Sequence, residues 1–148
     1  MSGSLEHSPA DILRNLLVNL GLGTTPSDSG SWPVYASLMP DTPDNVITLI
    51  DTAGVKQGRI QTSGEIQEHY GVQLLIRSTT HPVGYTKAQA LAVALDENIQ
   101  NNTVTISGTT YDVDAVSRRG NVLSLGEEEE SNRRLFSINA IVSINQST

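Results

Sequence analysis

The side chains that most often perform chemistry are few and scattered in this sequence. Its 148 residues include no cysteine and three histidines, His7, His69 and His81. No two of these histidines have the i, i+4 or short-loop spacing that zinc ligands usually have. A Ser-His-Asp triad could be drawn only by arbitrary choice among the serines, because no G-x-S-x-G turn supports one. The sequence therefore predicts no catalytic residue, no metal site and no enzyme.

A phosphate-binding loop is also not predicted. The segment Gly21-Leu22-Gly23 begins like a dinucleotide-binding turn, but it follows a predicted helix instead of a strand and lacks the third glycine. It is better interpreted as a helix stop. No cofactor is expected, and a small hydrolase or nucleotide-binding protein is the least favoured class.

The charge of the chain argues against a protein that holds nucleic acid. The formal net charge is -7 and the pI is about 4.7, whereas affinity for phosphate backbones comes from clustered lysine and arginine. Acidic residues are densest at Glu127, Glu128, Glu129 and Glu130. This run is open to three interpretations: a solvated loop, the lining of a passage that must not retain DNA, or a contact for a basic partner.

Size and hydropathy predict one soluble domain over residues 1–148, with flexible tails at 1–7 and 145–148. No apolar run approaches the roughly 20 residues that a bilayer requires, so no membrane contact is expected.

One segment indicates how the fold presents a surface. In the strand Tyr70 to Ser78, the alternation places Val72, Leu74 and Ile76 on one face and Gln73, Leu75 and Arg77 on the other. The first face suits a core. The second combines an amide and a guanidinium with an apolar residue, which suits contact with partner groups.

The remaining elements predict an α+β domain in which two helices pack on one face of a mixed, mostly antiparallel sheet. Ser8, Pro9 and Gly21 mark the ends of a first helix, and Thr86-Lys87-Ala88-Gln89 matches a capping box for the second. The predicted strands cover residues 34–38, 46–51, 70–78, 104–107, 111–115 and 136–144. The polar segment Thr52 to His69 is predicted to be an arm, either a long loop that contacts a neighbour or a hairpin that packs on its own subunit.

Several short segments together resemble one family. They are the glycine-rich segment from Gly54 to Arg59, the Gly71-Val72-Gln73 strand that ends in Arg77, a single helix, and Arg133 leading into Phe136-Ser137-Ile138-Asn139. Their order, over residues 41–144, resembles the bacteriophage minor capsid and tail terminator proteins.

The resemblance implies a structural protein of the virion, made in the bacterial host cytoplasm and located at the junction of tail and neck. It implies a homo-oligomeric ring, usually six-fold, that caps the tail tube and contacts the tail tube protein and a neck or head-completion protein. A head-completion or neck adaptor of the same particle is the alternative. DNA would pass through such a ring without specific binding. The candidate contact residues are Lys56, Gln57, Arg59, Gln73, Arg77 and Arg133.

Overall fold

A computed structural model describes residues 5–25, 32–41, 43–59, 66–127 and 132–146, with side chains described except at 53–59, 66–68 and 146. The helices and strands, in chain order, are α1 (Pro9–Asn19), β1 (Val34–Ala36), β2 (Val46–Arg59), β3 (Ile66–Ser78), α2 (His81–Glu97), β4 (Gln100–Ile106), β5 (Thr109–Arg118), β6 (Leu123–Glu127) and β7 (Arg134–Gln146).

Helix α1 begins and ends where the sequence predicts. The Ser8 side chain accepts a hydrogen bond from the Asp11 backbone N–H at 3.2 Å, and Pro9 occupies the first turn, where its missing N–H has no cost. Gly21 has a φ of +78°, the left-handed conformation that commonly terminates a helix. The helix buries one apolar stripe against the sheet, formed by Ala10, Ile12, Leu13, Leu16 and Leu17.

Helix α2 begins earlier than predicted, so the capping box proposed at Thr86 is wrong. The N-cap is Thr80, whose backbone is extended, and His81 and Pro82 form the first turn. A proline is tolerated there and fixes φ for helix entry, so it starts the helix without a side-chain cap. The predicted apolar stripe is confirmed, since Ala88, Leu91, Ala92 and Leu95 are buried.

The sheet has seven strands in the order β1-β2-β3-β7-β5-β4, and β6 also pairs with β7. Only β1 and β2 are parallel; all other described pairs are antiparallel. The sheet curls into a half-barrel. This arrangement confirms the predicted α+β class with a mixed, mostly antiparallel sheet.

The core lies between the helices and one face of the sheet. As predicted, β3 buries Val72, Leu74 and Ile76, and β7 buries its alternate residues: Phe136, Ile138, Ala140, Val142 and Ile144. The hairpin between β4 and β5 turns at Ser107 and Gly108, both with positive φ, as the predicted tight turn requires.

Strand β6 is an addition to the predicted elements. It pairs with Arg134 to Ser137 of β7, along the same edge of β7 that β5 occupies farther on. Its sequence is short and contains Gly126, and its strand conformation depends on the pairing with β7 more than on propensity.

The predicted arm is a β-hairpin. Strands β2 and β3 continue past the body of the sheet, with Val55 opposite His69, Lys56 opposite Glu68 and Arg59 opposite Ile66. In the described residues, β3 pairs with β7 only from Tyr70 onward, so the outer part of the hairpin is two-stranded.

Both predicted tails are partly incorporated into the fold. The His7 N–H donates to the Tyr111 hydroxyl at 3.0 Å, and the Thr109 hydroxyl donates to Glu6 at 2.9 Å. Strand β7 continues through Asn145 to Gln146.

Candidate interface on the helix-free face of the sheet

The two helices pack on one face of the sheet, and the opposite face is here called the helix-free face. Its side chains lie in rows across the strands. One row runs Thr48, Leu75, Ser137, Leu123; the next is Ile50, Gln73, Asn139; the third is Thr52, Gly71, Ile141, Ser117.

No residue in these three rows is charged, although the chain carries 16 acidic and 9 basic residues. Gln73, Leu75, Asn139 and Ile141 are only partly buried, so the face is accessible. A mixture of aliphatic, amide and hydroxyl groups without charge is typical of the centre of a protein–protein interface. This composition makes the helix-free face the strongest candidate interface.

A loop covers one end of this face. Residues 38–41 and 43–45, here called the Asp41 loop, connect β1 to β2. The Thr48 hydroxyl, which points to the helix-free face, donates to the Leu38 carbonyl at 2.8 Å. The loop therefore limits the open part of the face to the rows beyond it.

Arg77 holds this loop in place. Its side chain is 1% exposed, and its guanidinium donates to three backbone carbonyls, those of Pro43 at 2.6 Å, Asp44 at 3.1 Å and Asp41 at 3.2 Å. A buried guanidinium is costly unless its N–H groups are bonded, and the loop carbonyls supply those acceptors.

Arg133 holds the same loop from the start of β7. It donates to the Asp41 carbonyl at 2.5 Å and forms ion pairs with the Asp41 and Asp44 carboxylates at 3.1 Å and 3.3 Å. The Asp41 side chain is 94% exposed, so the ion pair itself contributes little. Both arginines are therefore engaged within their own subunit, and their predicted role as partner contacts stays a prediction.

The other predicted contact residues lie apart from this pair. Gln73 is in the middle row of the helix-free face. Lys56, Gln57 and Arg59 lie on the hairpin, and Lys56 is ten residues along β2 from Val46, which pairs with Arg77. Ten strand residues span about 33 Å. The side chains of these three residues lie outside the described part.

The acidic run is only partly described. Glu127 ends β6 and forms an ion pair with Arg134 at 3.1 Å, while Glu128, Glu129 and Glu130 lie outside the described residues. Within the described part, Nε of Arg134 is buried and makes no hydrogen bond. The Glu127–Arg134 pair shows that this end of the run has a partner in its own subunit.

A second surface lies along α2. Trp32, Val83, Lys87 and Ala90 help to line a groove of about 430 Å³, with the Lys87 ammonium 5.6 Å from the Trp32 ring centre. Partial burial lowers the pKa of Lys87. The arrangement is a cation–π contact on an apolar surface.

Two features of the site were absent from the sequence-based predictions. The first is β6, whose Leu123 and Leu125 are 53% and 50% exposed; the Leu-Ser-Leu alternation was its only signal. The second is the contact of Arg77 and Arg133 with Asp41, from which they are separated by 36 and 92 residues in sequence.

Within the described residues, there is no group of three potential metal ligands, and no helix is long and apolar enough to cross a membrane.

A model of the bacteriophage tail terminator protein family matches residues 16–146. The chain therefore belongs to the bacteriophage tail terminator family, and it has a structural role in a phage tail. No curated protein matches the sequence.

Proposed function

We propose that this protein caps the tail tube of a phage as a closed homo-oligomeric ring and joins the tail to the neck or head. Family membership supports a tail component, and the three uncharged rows of the helix-free face are the observation that carries the assembly role. Three such rows in a chain of net charge -7 are expected of a surface that binds another protein. The function rests on binding, without a catalytic step.

A ring of identical subunits fits the physical properties of this sheet. Closed cyclic symmetry covers exposed strands and faces without leaving sticky edges, and it matches a tube of the same symmetry. The hairpin of β2 and β3 extends past the body of the sheet, and in the proposed ring it contacts a neighbouring subunit or the tail tube. The ring is expected to be six-fold.

The net charge suits a ring through which DNA passes. Carboxylates repel phosphates, and at physiological salt the repulsion extends over about 8 Å, so it acts only within the passage. The protein would thus let DNA slide without retaining it.

Charged substitutions on the helix-free face test the assembly role. Ile141→Lys places a charge in the uncharged rows, and Val93→Lys places the same charge on the exposed side of α2, where Val93 is 50% exposed. We expect both purified variants to fold, as judged by circular dichroism. Ile141→Lys should fail to bind purified tail tubes and should not restore infectious particles to a phage that lacks the protein, whereas Val93→Lys should do both. Equal binding by the two variants would overturn the proposed role of this face.

The same binding experiment separates the tail terminator from the alternative, a head-completion or neck adaptor. A terminator binds tail tubes in the absence of heads. Binding to tail-free heads and not to tubes would instead establish the adaptor.

A further inference from the structure

The sheet has three outer strands in the described residues, and two of them are protected against further pairing. At β4, Asn101 has a φ of +54°, the Asn102 side chain accepts the Gln100 N–H at 2.6 Å, and the exposed side chains are polar. At β1, the chain at Thr24 pairs with the outer edge, since the Val34 N–H donates to the Thr24 carbonyl at 2.9 Å. Kinks, polar residues and covering segments are the usual means of blocking strand addition.

Strand β6 lacks this protection. All five of its residues are exposed, and it pairs on one side with β7 and on the other with no described strand. Leu123 lies in a row of the helix-free face, and Leu125, two residues on, is equally exposed. An exposed strand edge with two leucines is a template for another strand.

A second open edge lies on the opposite side of the same sheet. Strand β1 covers β2 only from Ile47 to Leu49, and Ser37 donates the last backbone bond, to the Leu49 carbonyl at 2.8 Å. From Ile50 onward, no described strand pairs with the outer edge of β2. Leu38, the residue that follows Ser37, is 56% exposed.

We propose that β6 of one subunit pairs with the open edge of β2, from Ile50 onward, in the next copy of this chain. The proposal rests on the ring of the proposed function and adds the contact that closes it. Strands β2, β3, β7 and β6 alternate in direction, so β6 beside the β2 of a second copy continues the antiparallel order. Two different, complementary edges on one subunit are what a head-to-tail ring requires.

The position of the two edges adds a geometric consequence. Strand β6 lies beside residues 134–137, at the level of Thr48 in the rows, whereas the open part of β2 begins two residues farther along. Pairing therefore displaces the next subunit along the strand direction. In closed sheets the same stagger between neighbouring strands makes every strand tilt relative to the axis of closure.

Disulfide cross-linking tests the contact directly, because the chain has no cysteine. Thr52→Cys is combined with Leu123→Cys or Leu125→Cys, all at exposed positions. Within one subunit the two edges are three strand spacings apart, about 14 Å, which is too far for a disulfide. The matched control combines Thr52→Cys with Thr103→Cys on the protected edge of β4.

Mild oxidation of tails that carry the variants should give a ladder of covalent multimers for at least one β6 pair and none for the control. A ring visible on these tails without cross-linked multimers would overturn the proposed strand pairing and leave the proposed function intact. Tails with no ring would instead contradict the proposed function and, with it, this contact. Multimers from the Thr103→Cys control would show that the open edge of β2 forms cross-links with β4 as well as with β6, and would also overturn the proposal.

Discussion

Arg77 and Arg133 donate hydrogen bonds to the same backbone oxygen, the carbonyl of Asp41, at 3.2 Å and 2.5 Å. Arg77 is the penultimate residue of β3 and Arg133 precedes β7, so the shared acceptor joins two neighbouring strands to the loop that covers the end of the helix-free face. The boundary of the candidate interface is therefore set by this pair.

Removing Arg77 should destabilise the subunit. Arg77→Met keeps the apolar stem but removes the guanidinium bonds to three loop carbonyls, of which the Asp41 carbonyl keeps its bond from Arg133. The loss should cost about 2–4 kcal/mol, as expected for buried bonds to a charged group. Urea denaturation measures the change, with Arg119→Met at an exposed position as control, expected within about 0.5 kcal/mol of the original. Equal stability of Arg77→Met and the original protein would show that Arg77 does not hold the Asp41 loop in place. A double-mutant cycle with Arg133→Met should give a coupling energy above about 0.5 kcal/mol.

Gly84 should not tolerate alanine. In an ordinary helix Gly→Ala stabilises by about 1 kcal/mol, so the sign of the effect is diagnostic. A Cβ at Gly84 would overlap the Ser78 hydroxyl and the Phe136 ring, reaching Phe136 Cδ1 at 3.0 Å, where α2 packs closely on the sheet. We expect Gly84→Ala to lose about 1–3 kcal/mol by overpacking and Phe136→Leu to relieve part of that loss. A stabilised Gly84→Ala variant in thermal unfolding would contradict this packing.

The end of α2 should contribute stability that depends on acid pH. The Arg118 guanidinium bonds both Asp96 oxygens at 2.8–3.1 Å, and this hydrogen bonding lowers the pKa of Asp96. A lowered pKa in the folded state means that the stabilisation is full above the unfolded value of about 3.9 and is lost as pH falls through the lower folded value. The stability difference between the original and Asp96→Asn, under about 1 kcal/mol for such an exposed pair, should be constant from pH 7 to 5 and shrink below pH 4. The same comparison in an Arg118→Met background is the control and should lose most of this pH dependence, because the guanidinium that lowers the pKa of Asp96 is then absent.

Replacing Glu127, Glu128, Glu129 and Glu130 with glutamine distinguishes the interpretations of the acidic run. If the run lines the DNA passage, packaged DNA should be ejected more slowly and particles should still form, because four repulsive charges have been removed. If the run binds a basic neck protein, attachment of tails to heads should weaken and lose its salt dependence. DNA ejection kinetics and counts of headless tails measure the two effects. No change in either would identify a solvated loop.

The hairpin should be needed for assembly and not for folding. Deleting residues 56–63 removes the outer part of the hairpin, which pairs with no strand beyond β2 and β3 in the described residues. The purified variant should unfold with the cooperativity of the original but fail to bind tail tubes. Loss of the folded monomer would place the segment in the core instead.

Much of this fold was predictable from local signals. Three features are determined by residues adjacent in sequence: the apolar alternation of β7, the start of α1 at Ser8 and Pro9, and the turn at Ser107-Gly108. The start of α2 was misplaced because a capping-box pattern inside the helix competed with Pro82, the true start signal.

The candidate site was less predictable because its contacts are long-range. Arg77 was expected to face a partner since a guanidinium on a strand face is normally solvated or paired across an interface. Its acceptors within the subunit are carbonyls of a loop more than 30 residues earlier, and a backbone oxygen leaves no sign in the order of side chains. The predicted role of Arg77 as a partner contact stays a prediction. Strand β6 forms for a similar reason, since its order comes from pairing with β7 and not from its own sequence.

A ring of this protein at the head-proximal end of the phage tail is the assembly that the proposed function requires. Such a ring can be sought by electron microscopy of tails purified from a phage that produces a tagged copy of this chain, with the tag labelled by gold. We expect a single labelled ring at the end that joins the head, and tails that lack it when the protein is absent. Label spread along the tube, or ends of identical structure with and without the protein, would contradict it.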